Sequence, residues 1–410
     1  MLQAIIHASE ILTGQGIREK DGRRVSEGDL GRIEDGAIVY DKKIEWVGPT
    51  EALPKRFSKI KRTDLKRKRA VIPGMVDCHT HLVFAGDRSS EFAERCAGAT
   101  YQEITARGGG ILSTVRATRG ASSKELEMLA IARIREMASY GVKTIEIKSG
   151  YGLSLESEIK ILEVISKLRK KFPALTLTST FLGAHAFPPK EESSRSRYID
   201  EIIHVMLPTL AKKRLAGACD VFIDEGYFTL VEGEAILSAA KKLGLKTKVH
   251  ADELANTESA SLAARIGALS ADHLLKISDE GIKDLSRTNT VAVLLPGTAF
   301  YLKAPHAPAR KLLDAGAAVA LATDFNPGTC MCLSLPAILT IAALYLGMSR
   351  AELFAAVTYN GAKALGLETK KGSIEAGKDA DFSILPFQRF EEIYYRFAWR
   401  ASEAVKSIGR

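Results

Sequence analysis

Val71-Ile72-Pro73-Gly74-Met75-Val76-Asp77-Cys78-His79-Thr80-His81 opens on an apolar run and closes on two histidines one residue apart. The run reads as a buried strand over 71–76. Side chains alternate along a strand, so the two imidazoles point to the same face. Two imidazoles on one side of a strand end make half of a metal site. A lone histidine there would read more simply as a core residue, so the pair directs the search to the rest of the chain for partners.

Outward from this stretch, short apolar strands alternate with longer segments of helical period. Strands are predicted at 71–76, 143–148, 176–184, 219–223, 246–250, 269–273, 291–295 and 318–322. Ser123–Tyr140, Leu155–Lys171, Leu230–Leu243, Thr257–Ile266 and Ser278–Ser286 carry the 3.6-residue period between them. Eight strand-helix units in this order predict an α/β fold, a (β/α)8 TIM-like barrel spanning 70–365. The first unit carries an insertion, Gly86–Gly120. Its Gly108-Gly109-Gly110 fits no phosphate-loop pattern and reads as a tight turn over the barrel mouth. Before the barrel, Ala4–Thr13 and the pair 37–40 and 44–48 about Asp41-Lys42-Lys43 read as strands and a hairpin. After it, Gly372 and Gly377 bracket alternating residues that continue to Leu385. Segments 1–69 and 366–410 are therefore expected to form one small β-sandwich domain.

Composition limits what such a chain can do. Its 410 residues are 46% hydrophobic and 26% charged, enough for a large core. No uninterrupted apolar run reaches membrane-spanning length and no signal-peptide pattern opens the chain, which predicts a cytoplasmic protein with no membrane partner. Cys78, Cys96, Cys219, Cys330 and Cys332 form an odd, sparse set that suits a reducing compartment. Cys330-Met331-Cys332 reads as packing. The net charge of +9 invites a nucleic-acid reading, but nine basic residues and one acid lie between Lys55 and Arg69, and the remainder has 49 basic against 48 acidic residues. A solvated surface connection accounts for that segment, and no nucleic-acid partner is expected.

Chemistry on a parallel barrel sits at the strand C-termini. Five of the eight histidines fall there: His79, His81, His185, His250 and His273. His7, His204 and His306 read as structural or surface residues. His79, His81, His250 and Asp324 offer three neutral nitrogens and a carboxylate, a set suited to one divalent metal ion, Zn2+ or iron as Fe2+/Fe3+, with a position left for water. The residues 220–224 lack a lysine that could bridge a second ion. Glu253, three residues past His250, reads either as a carboxylate at a helix start or as a general acid/base. By sequence alone His273 reads equally as a core histidine or a site residue, and its place on the strand after His250 favours the site.

These residues resemble the amidohydrolase superfamily in its mononuclear branch. His79-Thr80-His81 through Arg88, Gly108-Gly109-Gly110-Ile111, Lys148-Ser149-Gly150-Tyr151, Leu182-Gly183-Ala184-His185, Asp272-His273-Leu274, Leu294-Leu295-Pro296-Gly297 and Asp324-Phe325-Asn326-Pro327-Gly328 are similar to the imidazolonepropionase family within it. The resemblance implies hydrolysis of the cyclic amide of 4-imidazolone-5-propanoate to N-formimidoyl-L-glutamate, a step of histidine degradation. It implies a metal-activated hydroxide as nucleophile, Glu253 as proton shuttle, and His273 and Asp324 as further catalytic groups. For the substrate it implies Arg88 at the carboxylate, with Tyr101, Tyr151, His185, Asn326, Gly328 and Thr329 as further contacts, and it implies a homodimer. An aminoacylase-like hydrolase or a deaminase would use the same metal ligands. Arg88 and Tyr151 separate these readings, because a neutral heterocycle needs no cation.

Overall fold

The computed structural model describes residues 1–99, 103, 107–397 and 399. Its strands run in chain order β1 (Gln3–Leu12), β2 (Arg32–Tyr40), β3 (Ile44–Pro49), β4 (Lys61–Asp64), β5 (Val71–Pro73), β6 (Met75–Asp77), β7 (Val142–Lys148), β8 (Thr176–Ala184), β9 (Ala218–Ile223), β10 (Lys246–Ala251), β11 (Ser270–His273), β12 (Val291–Leu294), β13 (Val319–Leu321) and β14 (Phe382–Ile384). Strands β6 to β13 form one eight-stranded parallel sheet in sequential order. The first and last of them meet just beyond their ends. There Thr80 bridges Phe325, Asp324 N–H donates to the His79 carbonyl at 3.0 Å, and His81 N–H donates to the Phe325 carbonyl at 2.9 Å. The sheet is thereby curled into a barrel whose closing seam carries three of the predicted ligands.

Helices pack outside the barrel for reasons legible in their sequences. Leu155–Lys171 starts at Ser154, whose hydroxyl accepts from Ser157 N–H, places Glu156 and Glu158 in its first turn and ends on Arg169, Lys170 and Lys171. Both charge biases complement the helix dipole. Its inner face, Ile161, Leu162, Val164, Ile165 and Leu168, is buried in the main core. Ser122, Thr229 and Ser278 cap Ser123–Ser139, Leu230–Lys242 and Asp279–Arg287 in the same way. The insertion contains two further helices, Ser89–Cys96 and Ile111–Gly120. Gly110 precedes the second at φ 75°, and its N–H donates to Glu91 at 3.2 Å. The glycine turn thus ties the second helix of the insertion to the first.

The first predicted strand is two strands. Val71–Pro73 belongs to the small sheet, pairing with β1 and β14, and only Met75–Asp77 enters the barrel. The apolar run is continuous across Gly74, so periodicity does not mark the change of partner. Packing does: a Cβ on Gly74 would lie 2.6 Å from Lys143 Cβ and 2.7 Å from Asp381 Oδ1, and Gly74 N–H donates to the Asp381 carbonyl. Gly74→Ala is expected to destabilise the chain by about 1–3 kcal/mol through this overpacking, read as a lowered melting temperature.

The chain ends assemble a six-stranded mixed sheet in the order β14-β5-β1-β2-β3, with β4 also against β1. Its own core includes Ile5, Ile38, Tyr40, Val71, Phe382 and Ile384. The basic segment 55–69 is more than a surface connection, since Lys61–Asp64 pairs with Gln3–Ile6 as the outer strand β4. Exposed Lys61 and Arg62 on an edge strand discourage pairing with another chain, which gives this charge a structural role. Among the described residues, no helix is long and apolar enough to cross a membrane.

Candidate active site

The barrel register sets the site. On β10, His250 faces the axis next to Asp272 of β11, and Ala251 pairs with His273. His79 and His81 follow β6 and Asp324 follows β13. Asp324 Oδ1 lies 3.4 Å from His79 Nε2 and 3.5 Å from His81 Nε2. The His250 ring centre is 4.6 Å from that of His79 and 5.6 Å from that of His81. His79, His81 and Asp324 each place a donor atom within 4.8 Å of the others, as do two overlapping trios, His79-His250-His273 and His81-His185-His250. All of these side chains are buried except His185, which is partly so.

Their electrical state suits cation binding. Burial first, and neighbouring positive groups second, hold His79, His81 and His273 well below the usual imidazole value. Burial likewise lowers His185, to about 3. Neutral imidazoles present lone pairs. The Nε2 atoms of His79, His250 and His273 are buried with no protein hydrogen-bond partner. A buried polar atom left unpaired costs about 1–3 kcal/mol, so those of His79 and His250 form a pair that a metal ion would satisfy, with that of His273 beside them. Burial lifts the Asp324 carboxyl to about 6 against the hydrogen bond from the Thr298 hydroxyl at 2.6 Å.

Glu253 sits beside this cluster, its carboxylate 3.4 Å from His273 Nδ1. Burial, then Asp324 and Asp224, raise its carboxyl well above the ordinary range. Asp224 fixes the loop that carries it, accepting from Glu253 N–H at 2.8 Å, Leu254 N–H at 2.8 Å and Ala255 N–H at 3.0 Å. His273 and Asp324 hold left-handed backbone angles, φ 80° and 49°, which are strained for residues with a Cβ. Such strain is sustained where the surrounding structure fixes a functional group.

A cavity of about 350 Å3 opens over the cluster and brings most of the expected residues together. His81, His250, His273, Glu253 and Asp324 line its floor, Tyr151 and His185 a side wall, and Arg88, Asn326, Gly328 and Thr329 another. His185 stacks on His81 at 4.9 Å between ring centres. Arg88 donates from Nε to Glu91 at 2.7 Å, and its guanidinium lies where a Cβ on residue 328 would be, 2.3 Å from Nη1, so glycine there makes room. Asn326 is committed to its own turn: its Oδ1 accepts from Gly328 and Thr329 N–H, both at 2.8 Å. Tyr101 lies outside the described residues. His7, His204 and His306 do not line this cavity.

Sequence reasoning overlooked several residues. Arg95, Phe222, Tyr227 and Leu302 also line the cavity, and Arg95 donates to the Gly328 carbonyl at 3.0 Å. Beneath the histidines lies a fully buried set of charges, Glu146, Lys148, Asp220, Lys248 and Asp272. The available signal was charge at inward positions of otherwise apolar strands, Glu146 and Lys148 on β7 and Lys248 and His250 on β10, each pair two residues apart.

Comparison with known proteins agrees with this architecture. A family model described as the amidohydrolase family matches residues 70–398. The imidazolonepropionase of Symbiobacterium thermophilum is 46% identical, covering 99% of this chain and 96% of its own length. That of Bdellovibrio bacteriovorus is 44% identical over 98% and 94%. An adenosine deaminase from Xanthomonas campestris, solved with bound zinc, superposes with a TM-score of 0.68 at 18% identity, covering 99% of this chain and 89% of that one, a likeness of fold alone. Family model and full-length relatives coincide on one conclusion: the chain belongs to the amidohydrolase family and, within it, to the imidazolonepropionases.

Proposed function

We propose that this chain hydrolyses the cyclic amide of 4-imidazolone-5-propanoate to N-formimidoyl-L-glutamate, a step of histidine degradation. The observation that carries the reading is a single cavity with a nest of buried histidines on its floor, a buried glutamate beside them and a guanidinium on its wall. His79, His81, His250 and Asp324 would hold one Zn2+ or iron ion. When bound, such an ion lowers the pKa of a coordinated water toward about 7 and polarises a carbonyl.

The chain's own residues supply the rest. Glu253 takes the proton of the attacking water and returns it to the ring nitrogen as the C–N bond breaks. Burial raises the Glu253 carboxyl well above the ordinary carboxylate range, which makes it a stronger proton acceptor than an exposed glutamate. His273, whose Nδ1 lies 3.4 Å from Glu253, lines the cavity and would stabilise the carbonyl oxygen that becomes negative. Arg88 binds the substrate carboxylate with its planar fork, and Glu91 on Nε holds that fork in place. Tyr151 and His185 would enclose the ring, while Asn326 arranges the turn of Gly328 and Thr329 around Arg88. A deaminase acting on a neutral base would have no use for this cation.

Arg88→Ala is expected to raise KM roughly 10-fold or more with a smaller effect on kcat, since it removes a contact made in ground and transition states alike. An unchanged KM would place the carboxylate elsewhere. The reaction itself is tested by incubating purified, metal-loaded protein with 4-imidazolone-5-propanoate and weighing the product. Addition of one water with formation of N-formimidoyl-L-glutamate is the expected result. Ammonia release without ring opening would establish a deaminase instead.

The reading extends to a cytoplasmic homodimer. Phe300, Leu344, Tyr345, Tyr395 and Phe397 are large apolar side chains exposed around one depression, a surface that association would cover. Sedimentation at micromolar concentration should give twice the chain mass of 44.5 kDa.

A further inference from the structure

The five buried charges under the site form one connected lattice. Lys148 Nζ lies 2.6 Å from Asp220 Oδ2, 3.1 Å from Glu146 Oε2 and 3.6 Å from Asp272 Oδ2. Lys248 Nζ lies 2.7 Å from the same Glu146 oxygen and donates to the Cys78 carbonyl at 2.9 Å. Glu146 also accepts from the Thr180 hydroxyl. The side chains of all five are without solvent exposure.

Burying five charged groups is unfavourable compared with an apolar layer of the same volume, so packing alone does not account for them. The lattice has outlets. Asp272 Oδ2 makes a 2.6 Å hydrogen bond with His79 Nδ1. Asp220 Oδ2 lies 3.0 Å from His250 Nδ1, and its Oδ1 accepts from His250 N–H at 3.2 Å. A carboxylate can only accept, so the hydrogen of the His79 ring belongs on Nδ1, and the nearby Asp220 oxygen, although it makes no aligned hydrogen bond with His250 Nδ1, favours the same form of that ring. That leaves Nε2 bare on both rings, and both Nε2 atoms are among the buried histidine nitrogens that lack a protein hydrogen-bond partner.

We propose that Asp272 and Asp220 are positioning residues that fix His79 and His250 in the Nδ1-protonated form with Nε2 free for the metal ion, and that Lys148, Glu146 and Lys248 hold these carboxylates in place. The inference rests on the reading of His79 and His250 as metal ligands. It explains why charge recurs on adjoining barrel strands directly below the site. Carboxylates so placed orient a ligand and increase its basicity, and their loss typically weakens metal binding by one to two orders of magnitude.

The test measures Zn2+ affinity by competition with a chelator in the full-length protein, its Asp272→Asn, Asp220→Asn and Lys248→Met variants, together with the melting temperature of each metal-free form. The variants are expected to bind Zn2+ roughly 10–100-fold more weakly than the parent, beyond any change in metal-free melting. The metal-free parent, labelled with 15N-histidine, should show His79 and His250 protonated at Nδ1. That spectrum requires no variant, so it decides the question even where a substitution prevents folding. Protonation at Nε2, or parental Zn2+ affinity in the folded variants, would overturn the inference while the proposed function stands. A parent chain that takes up no Zn2+ or iron would overturn both.

Discussion

His81→Ala is expected to leave a folded chain that keeps no metal through dialysis and turns over substrate at background rate. His81 stands between Asp324, 3.5 Å from its Nε2, and the stacked ring of His185. Alanine would remove one of the three imidazoles proposed to face a single ion. Metal affinity should fall by well over roughly 100-fold, a larger loss than follows from removing an orienting carboxylate. Stability should show the same event. An ion present at a thousand times its Kd stabilises the native state by about 4 kcal/mol, so added metal should raise the melting temperature of the parent and not of the variant. Elemental analysis alongside melting curves with and without metal measures both. A variant with stoichiometric metal and normal turnover would show that His81 is not a ligand.

Glu253→Gln has the opposite signature: metal retained, turnover lost. The amide keeps the shape of the side chain, and Asp224 still anchors the loop through the Glu253, Leu254 and Ala255 N–H groups. What disappears is the capacity to take and return a proton. General acid–base catalysis contributes roughly 10²–10⁴-fold, so kcat should drop by that factor while metal content and substrate binding change little. Equal losses of metal and activity would make Glu253 part of the metal-holding set instead.

The two variants separate what the sequence made legible from what it did not. The barrel strands were readable because each is a short apolar run bounded by turns, and β7 to β13 lie within two residues of their expected bounds. The strand-end rule then gathered the site histidines and Asp324 from distant parts of the chain. The split at Gly74 was hidden because hydrophobicity records burial and not the identity of the covering sheet. β4 was hidden for the opposite reason, since its lysine and arginine look like solvated chain while its backbone pairs with β1. The insertion helices Ser89–Cys96 and Ile111–Gly120 are short and expose much of their surface, so their periodicity is weak. Least legible was the layer of Glu146, Lys148, Asp220, Lys248 and Asp272. A charged residue inside a strand shows only that something unusual is buried, and its partner on another strand is set by barrel register.

The central claim is that one metal ion, held by the histidines and Asp324 at the barrel mouth, makes this chain a hydrolase of a cyclic amide. The most direct measurement follows the rate of 4-imidazolone-5-propanoate hydrolysis while metal is returned stepwise to chelated, metal-free protein. The rate should rise from background in proportion to bound metal and level off at one ion per chain. Full activity in the metal-free protein, or a plateau only at two ions per chain, would contradict it.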